Sequence, residues 1–130
     1  MYTQVPNDES QIATIYYEVT DDKNMNDGRP FLFVLPGGPG FDHVIYKNNA
    51  KFFEELAHVV YLDPRGCGKS SACNSATEYD IETYIEDVEK IRKNLKQEKI
   101  FVLGFSYGSM ACDPSVIDFA LIRLASTFTK

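Results

Sequence analysis

The feature that most constrains this chain is the pentapeptide GFSYG, Gly104 to Gly108, standing directly after the apolar run KIFVL. A strand that delivers G-x-S-x-G has to turn sharply into a helix if the serine hydroxyl is to stand clear of the sheet. Small residues on either side let neighbouring backbone approach without collision. Ser106 is then a candidate nucleophile. The backbone N–H of Tyr107, at the helix start, faces the place where an oxyanion would form.

The rest of the chain reads as the α/β framework such a turn needs. IATIYYEV is β-branched and aromatic and predicts a strand; FLFVL and HVVYL are continuous apolar runs, as expected of strands buried on both faces. KIFVLGF is a third such run, and VIYKNNAKFFEELA predicts a helix. DIETYIEDVEKIRKNLKQ sets Ile81, Ile85, Val88, Ile91 and Leu95 on one helical face, with Glu86–Lys90 and Glu89–Lys93 pairs on the outside. Alternation of strands and helices predicts an α/β fold with a mostly parallel sheet. No internal repeat or long linker divides the chain.

Composition limits the function classes. The chain has 130 residues, 44% hydrophobic and 25% charged, which fits one globular domain at most. Its formal net charge of -6 argues against nucleic acid and anionic membrane as partners and favours peptide or small-molecule substrates. The start, MYTQVPNDES, lacks a basic region followed by an apolar run, and no segment approaches bilayer-spanning length, so a cytoplasmic address is expected. Cys67, Cys73 and Cys112 form no C-x-x-C pair and read as free thiols; neither a metal nor a cofactor is expected.

Two further glycine-rich stretches bear on chemistry. LPGGPG, Leu35 to Gly40, follows the FLFVL strand; its glycine pair leaves backbone N–H groups unobstructed and its prolines restrict the loop, so Gly38 is the second candidate oxyanion donor. DPRGCGKSS, Asp63 to Ser71, ends in the GKS of a phosphate loop. The first glycine of that motif would fall where Asp63 stands, and no helix start follows, so a structural loop with internal polar contacts from Asp63 and Arg65 is the expectation.

In this order and spacing, LPGGPG, DPRGCGKS and GFSYGS resemble the proline iminopeptidase family of α/β-hydrolases, serine exopeptidases that release an amino-terminal proline from peptides. The resemblance runs from about Ile12 to Met110 and departs at Pro36, where many relatives have histidine. It implies Ser106 as nucleophile, with Gly38 and Tyr107 as oxyanion donors, and a fold that is the amino-terminal portion of an α/β-hydrolase with later strands and cap missing. In that family the acid and the histidine of the triad follow the serine. No histidine occurs in residues 109–130, and His43 and His58 both lie upstream, His58 at the start of a strand and His43 beside the glycine loop.

The expectation is therefore a partial hydrolase domain over residues 1–110 with a divergent tail over 111–130, inactive on its own. An esterase-like α/β-hydrolase and a non-catalytic truncated or frameshifted remnant are the alternatives. Pro114 should stop the helix after the serine at about Asp113. VIDFALIRLASTF then reads either as a short helix or strand covering the sheet or as out-of-frame sequence, the second being preferred. A strand edge left bare after the serine strand would invite self-association.

Overall fold

The computed structural model describes residues 1–6, 12–38, 40–73, 75–113 and 120–126. Six strands form one sheet: β1 (Tyr2–Pro6), β2 (Ile12–Val19), β3 (Phe31–Leu35), β4 (His58–Leu62), β5 (Ile100–Phe105) and β6 (Ala120–Ser126), in the spatial order β1-β2-β4-β3-β5-β6. β1 pairs antiparallel with β2 and β2 with β4, whereas β4, β3, β5 and β6 run parallel. The sheet is thus mixed, parallel in the half that carries Ser106.

The continuous apolar runs are explained by alternation. Phe31, Phe33 and Leu35 of β3 enter one core with Val60, Leu62, Ile100 and Val102, while Leu32 and Val34 enter another with Val59, Tyr61, Leu103 and Phe105. Successive side chains point to opposite faces, so a strand covered on both sides has no polar position to spare. The first core lies under α2 (Ile81–Asn94), through Tyr84, Ile85, Val88 and Ile91. The second lies under α1 (Val44–Ala50), through Tyr46 and Ala50.

Helix α2 matches its expected face, with Ile81 and Leu95 packed at its rim. It starts where the Asp80 carboxylate accepts the Thr83 N–H at 2.8 Å, an N-cap, and it ends before Lys96 at φ +55°. Outside, Glu89 pairs with Lys93 as expected and with Arg92, but among the described residues Glu86 and Lys90 form no ion pair. The segment read as one helix from Val44 divides: α1 stops at Ala50 and a 3-10 turn covers Lys51–Glu55, after the poor helix formers Asn48 and Asn49. Strand β1 has no counterpart in the sequence reading.

The tail corrects one expectation. The edge of β5 is not bare, because β6 lies parallel against it, with Val102 opposite Arg123 and Gly104 opposite Ala125. The tail thus contributes a strand that covers the sheet. The expected stop at Pro114 lies outside the described residues; the short helix α3 (Tyr107–Met110) already gives way to a turn at Ala111. No described helix is long and apolar enough to cross a membrane.

This order creates a switch point. β3 is followed by α1 on one face, and β5 by α3 on the other, where Tyr107, Ala111 and Cys112 join the first core. Adjacent parallel strands whose connections leave to opposite faces open a crevice at their carboxyl ends. The loop after β3 and the turn after β5 both border it.

Candidate active site

Ser106 occupies the turn from β5 into α3 with φ +49° and ψ -115°, a backbone state that an L-residue holds only under strain of roughly 1–3 kcal/mol. Its hydroxyl caps no backbone N–H, and the residue is exposed. The glycines of the pentapeptide are required by contact. A Cβ at Gly108 would stand 2.2 Å from the Leu35 carbonyl oxygen, and one at Gly104 would stand 2.4 Å from the Gly108 carbonyl oxygen. Helix α3 therefore begins pressed against the ends of β3 and β5. Tyr107 is its first residue, where the backbone N–H has no partner within the helix.

The loop after β3 is packed into this turn from the other side. A Cβ at Gly37 would lie 2.8 Å from the Phe105 carbonyl oxygen and 3.0 Å from Ser106 Cβ, so only glycine fits. The Gly37 N–H donates to Tyr46 Oη at 3.0 Å, and the Tyr84 hydroxyl donates to the Pro36 carbonyl oxygen at 3.3 Å. Burial pushes the Tyr84 hydroxyl well above the usual tyrosine range, so it stays a donor. Tyr84 also stacks on Tyr107, with ring centroids 6.0 Å apart. Gly38, Gly40, Gly66, Cys67, Tyr79 and Tyr107 border an open cleft of about 560 Å³, a size suited to a small organic ligand. Of the expected site residues, Gly38 and Tyr107 border this cleft, and Ser106 adjoins it between Tyr107 and the Gly37 backbone.

Asp63 and Arg65 build the third wall, and both make internal contacts as expected. Asp63 is fully buried: Oδ1 accepts the His43 N–H at 2.8 Å and meets His43 Nδ1 at 2.6 Å, while Oδ2 accepts the Lys69 N–H at 2.8 Å. Gly68, at φ +50°, passes so close that any Cβ would stand 2.3 Å from Asp63 Oδ2. The hydroxyls of Ser70 and Ser71 accept the N–H groups of Tyr16 and Thr14 on β2. The GKSS segment is thereby spent on a carboxylate and a strand edge rather than arranged around a phosphate.

Arg65 reaches the other way. Nε and Nη2 clasp the two Asp87 oxygens at 2.7 and 2.8 Å, and Nη1 donates to Glu78 Oε2 at 3.1 Å. All three side chains are buried, and the Asp87 carboxylate raises Arg65 beyond its ordinary range. This cluster bolts the loop after β4 to α2. Burial raises the Cys67 and Cys73 thiols, in keeping with free, unionised cysteines.

Both histidines are held by carboxylates. His43 is buried on Asp63, with Glu18 at 3.7 Å from Nε2; His58 is fully buried in β4, with Nε2 2.8 Å from Asp27 and Nδ1 3.3 Å from the Thr20 carbonyl oxygen. Among the described residues neither contacts Ser106. Sequence reasoning passed over Tyr46, Tyr84, Glu78 and Asp87. Asp87 carried a usable signal: it falls between Tyr84 and Ile91 on the buried stripe of α2, where a carboxylate demands a buried cation.

The sequence model of the alpha/beta hydrolase fold matches residues 30–112. A proline iminopeptidase from Arabidopsis thaliana is 38% identical over 104 residues, 77% of this chain and 25% of that protein. The chain spans 25% to 36% of the length of such curated relatives. The crystal structure of a proline iminopeptidase-related protein from Thermus thermophilus superposes with a TM-score of 0.69 at 27% identity, over 85% of this chain and 38% of the other. The crystal structure of epoxide hydrolase A from Mycobacterium thermoresistibile shares the fold over 98% of this chain and 37% of its own, with a TM-score of 0.70 at 19% identity.

Proposed function

The chain belongs to the alpha/beta hydrolase fold family, and we propose from that premise that it is the serine-bearing part of a hydrolase that releases an amino-terminal proline from peptides. The observation that carries this is the strained turn at Ser106, set at the switch-point crevice between the Gly37-Gly38 loop and the start of α3. The substrate class comes from relatives bearing the name proline iminopeptidase.

In this reading Ser106 Oγ bonds to the scissile carbonyl carbon and the carbonyl electron pair moves onto oxygen. The N–H groups of Gly38 and Tyr107 donate to that oxyanion. Collapse breaks the C–N bond, the amine leaves with a proton, and water hydrolyses the prolyl-serine ester. The serine proton needs an acceptor. His43 and His58 are the two histidines of the sequence, and their ring nitrogens face carboxylates and a carbonyl. These 130 residues by themselves therefore hold a nucleophile and its donors without a base, and turn over slowly.

The test is hydrolysis of a prolyl arylamide by the protein at the length its own cell makes, beside the 130-residue chain and Ser106→Ala. The expected result is prolyl release abolished by Ser106→Ala, with the 130-residue chain slower by about a thousandfold or more. Preference for a simple ester over the prolyl arylamide would favour an esterase, and activity surviving Ser106→Ala would refute the assignment.

A further inference from the structure

We propose that Tyr46 and Tyr84 are positioning residues that decide which amide of the loop after β3 is left to meet an anion. This rests on the oxyanion reading above and adds the residues that enforce it. Between Pro36 and Gly40 the prolines carry no N–H. Of the glycine pair, the Gly37 N–H is taken by Tyr46 Oη at 3.0 Å. Gly38 is the remaining amide, and among the described residues it donates to no protein group. Tyr84, from α2 on the opposite face of the sheet, holds the Pro36 carbonyl oxygen at 3.3 Å. One tyrosine therefore grips each side of the Pro36–Gly37 peptide link, each from a different core.

Both rings are anchored independently of their hydroxyls. Tyr46 packs on Phe105 with centroids 4.7 Å apart, and Tyr84 stacks on Tyr107 at 6.0 Å, so each tyrosine touches a residue flanking Ser106. Both are buried, at 4% and 6% exposure. Loss of either hydroxyl leaves the ring in place and frees one side of the link. A preorganised donor is worth more than a mobile one because it needs no reorganisation as charge develops.

The experiment is amide hydrogen exchange at Gly37 and Gly38 in the wild-type chain, Tyr46→Phe and Tyr84→Phe, with the rate of Ser106 phosphonylation by a fluorophosphonate as the second readout. In the wild type, Gly37 is expected to exchange slowly and Gly38 fast. Tyr46→Phe should speed Gly37 about tenfold while slow exchange elsewhere in β3 and β5 is unchanged. Phosphonylation at saturating probe should fall about tenfold in each variant with unchanged half-saturation. If Tyr46→Phe does not fold, Tyr84→Phe gives the same rate comparison. Equal exchange at Gly37 and Gly38 in the wild type, or unchanged Gly37 exchange in Tyr46→Phe, overturns the proposal. The labelling uses the protein at the length its own cell makes; if its wild-type form takes no probe the functional reading is removed, and the exchange comparison then decides the tyrosines' role separately.

Discussion

Removing the Arg65 guanidinium should be the most damaging change in the ion cluster behind the crevice, and the order of damage can be worked from the contacts. Arg65 makes two hydrogen bonds to Asp87 and one to Glu78, with side-chain exposures of 6%, 3% and 2% for the three residues. At such burial solvent screening is slight. Arg65→Met strands two carboxylates in the interior, and breaking a buried pair in this way costs about 3–5 kcal/mol. Glu78→Gln should cost less than about 1 kcal/mol, because among the described residues Glu78 Oε1 is buried without a partner and the Oε2 contact survives. Asp87→Asn should fall between them, since Arg65 keeps Glu78. Urea unfolding followed by circular dichroism reads the series; with a slope of about 2 kcal/mol per molar, Arg65→Met moves the midpoint down by about 2 M. Midpoints for Arg65→Met and Glu78→Gln within about 0.3 M of each other would refute the assignment of Arg65 as the shared partner.

Other consequences are equally direct. Gly108→Ala forces a Cβ to 2.2 Å from the Leu35 carbonyl oxygen, so it should destabilise by about 3 kcal/mol or more and abolish probe labelling, measured by melting and gel fluorescence. Ser106→Gly should be more stable than Ser106→Ala by about 1 kcal/mol in the same urea assay, because glycine accepts φ +49° without strain. The backbone N–H of Arg29, with His58 and the Arg29 side chain, holds Asp27 down to about 2 from an ordinary 3.8. A depressed folded pKa means stability present above pH 4 and lost as pH falls toward 2, so Asp27→Asn should flatten the acid limb of the stability profile in that window.

How far the sequence reveals this arrangement differs from element to element. The central strands were legible because FLFVL, VVYL and IFVL are unbroken apolar and aromatic runs, as burial on both faces requires. The turn at Ser106 was legible because glycine at 104 and 108 answers a backbone contact that no other residue tolerates. Strand β1 was not, since YTQVP is short and its pairing with β2 is set by non-local contact rather than local pattern. Tyr46 and Tyr84 read as ordinary helix-face aromatics: their rings explain their burial, and only the fold reveals that their hydroxyls meet the Pro36–Gly37 link. The break after Ala50 escaped because apolar spacing continues through Phe52 and Phe53 while the backbone has already tightened.

The carboxyl-terminal strand carries the clearest lesson in topology. Residues 120–126 have no one-sided helical pattern, and their place was decided by the edge of β5 that they cover. With β6 in position, the described sheet ends at β1 and β6 rather than at the serine strand. We therefore relocate the expected self-association edge to those outer strands, and a mass that stays monomeric across a hundredfold concentration range in light scattering would argue against it.

The most direct measurement is the site of covalent capture: the protein at the length its own cell makes is treated with a fluorophosphonate, digested and mapped by mass spectrometry. The account predicts a single adduct on Ser106, lost in Ser106→Ala and reduced in Tyr46→Phe. No adduct, or one on Ser109 in place of Ser106, would contradict it.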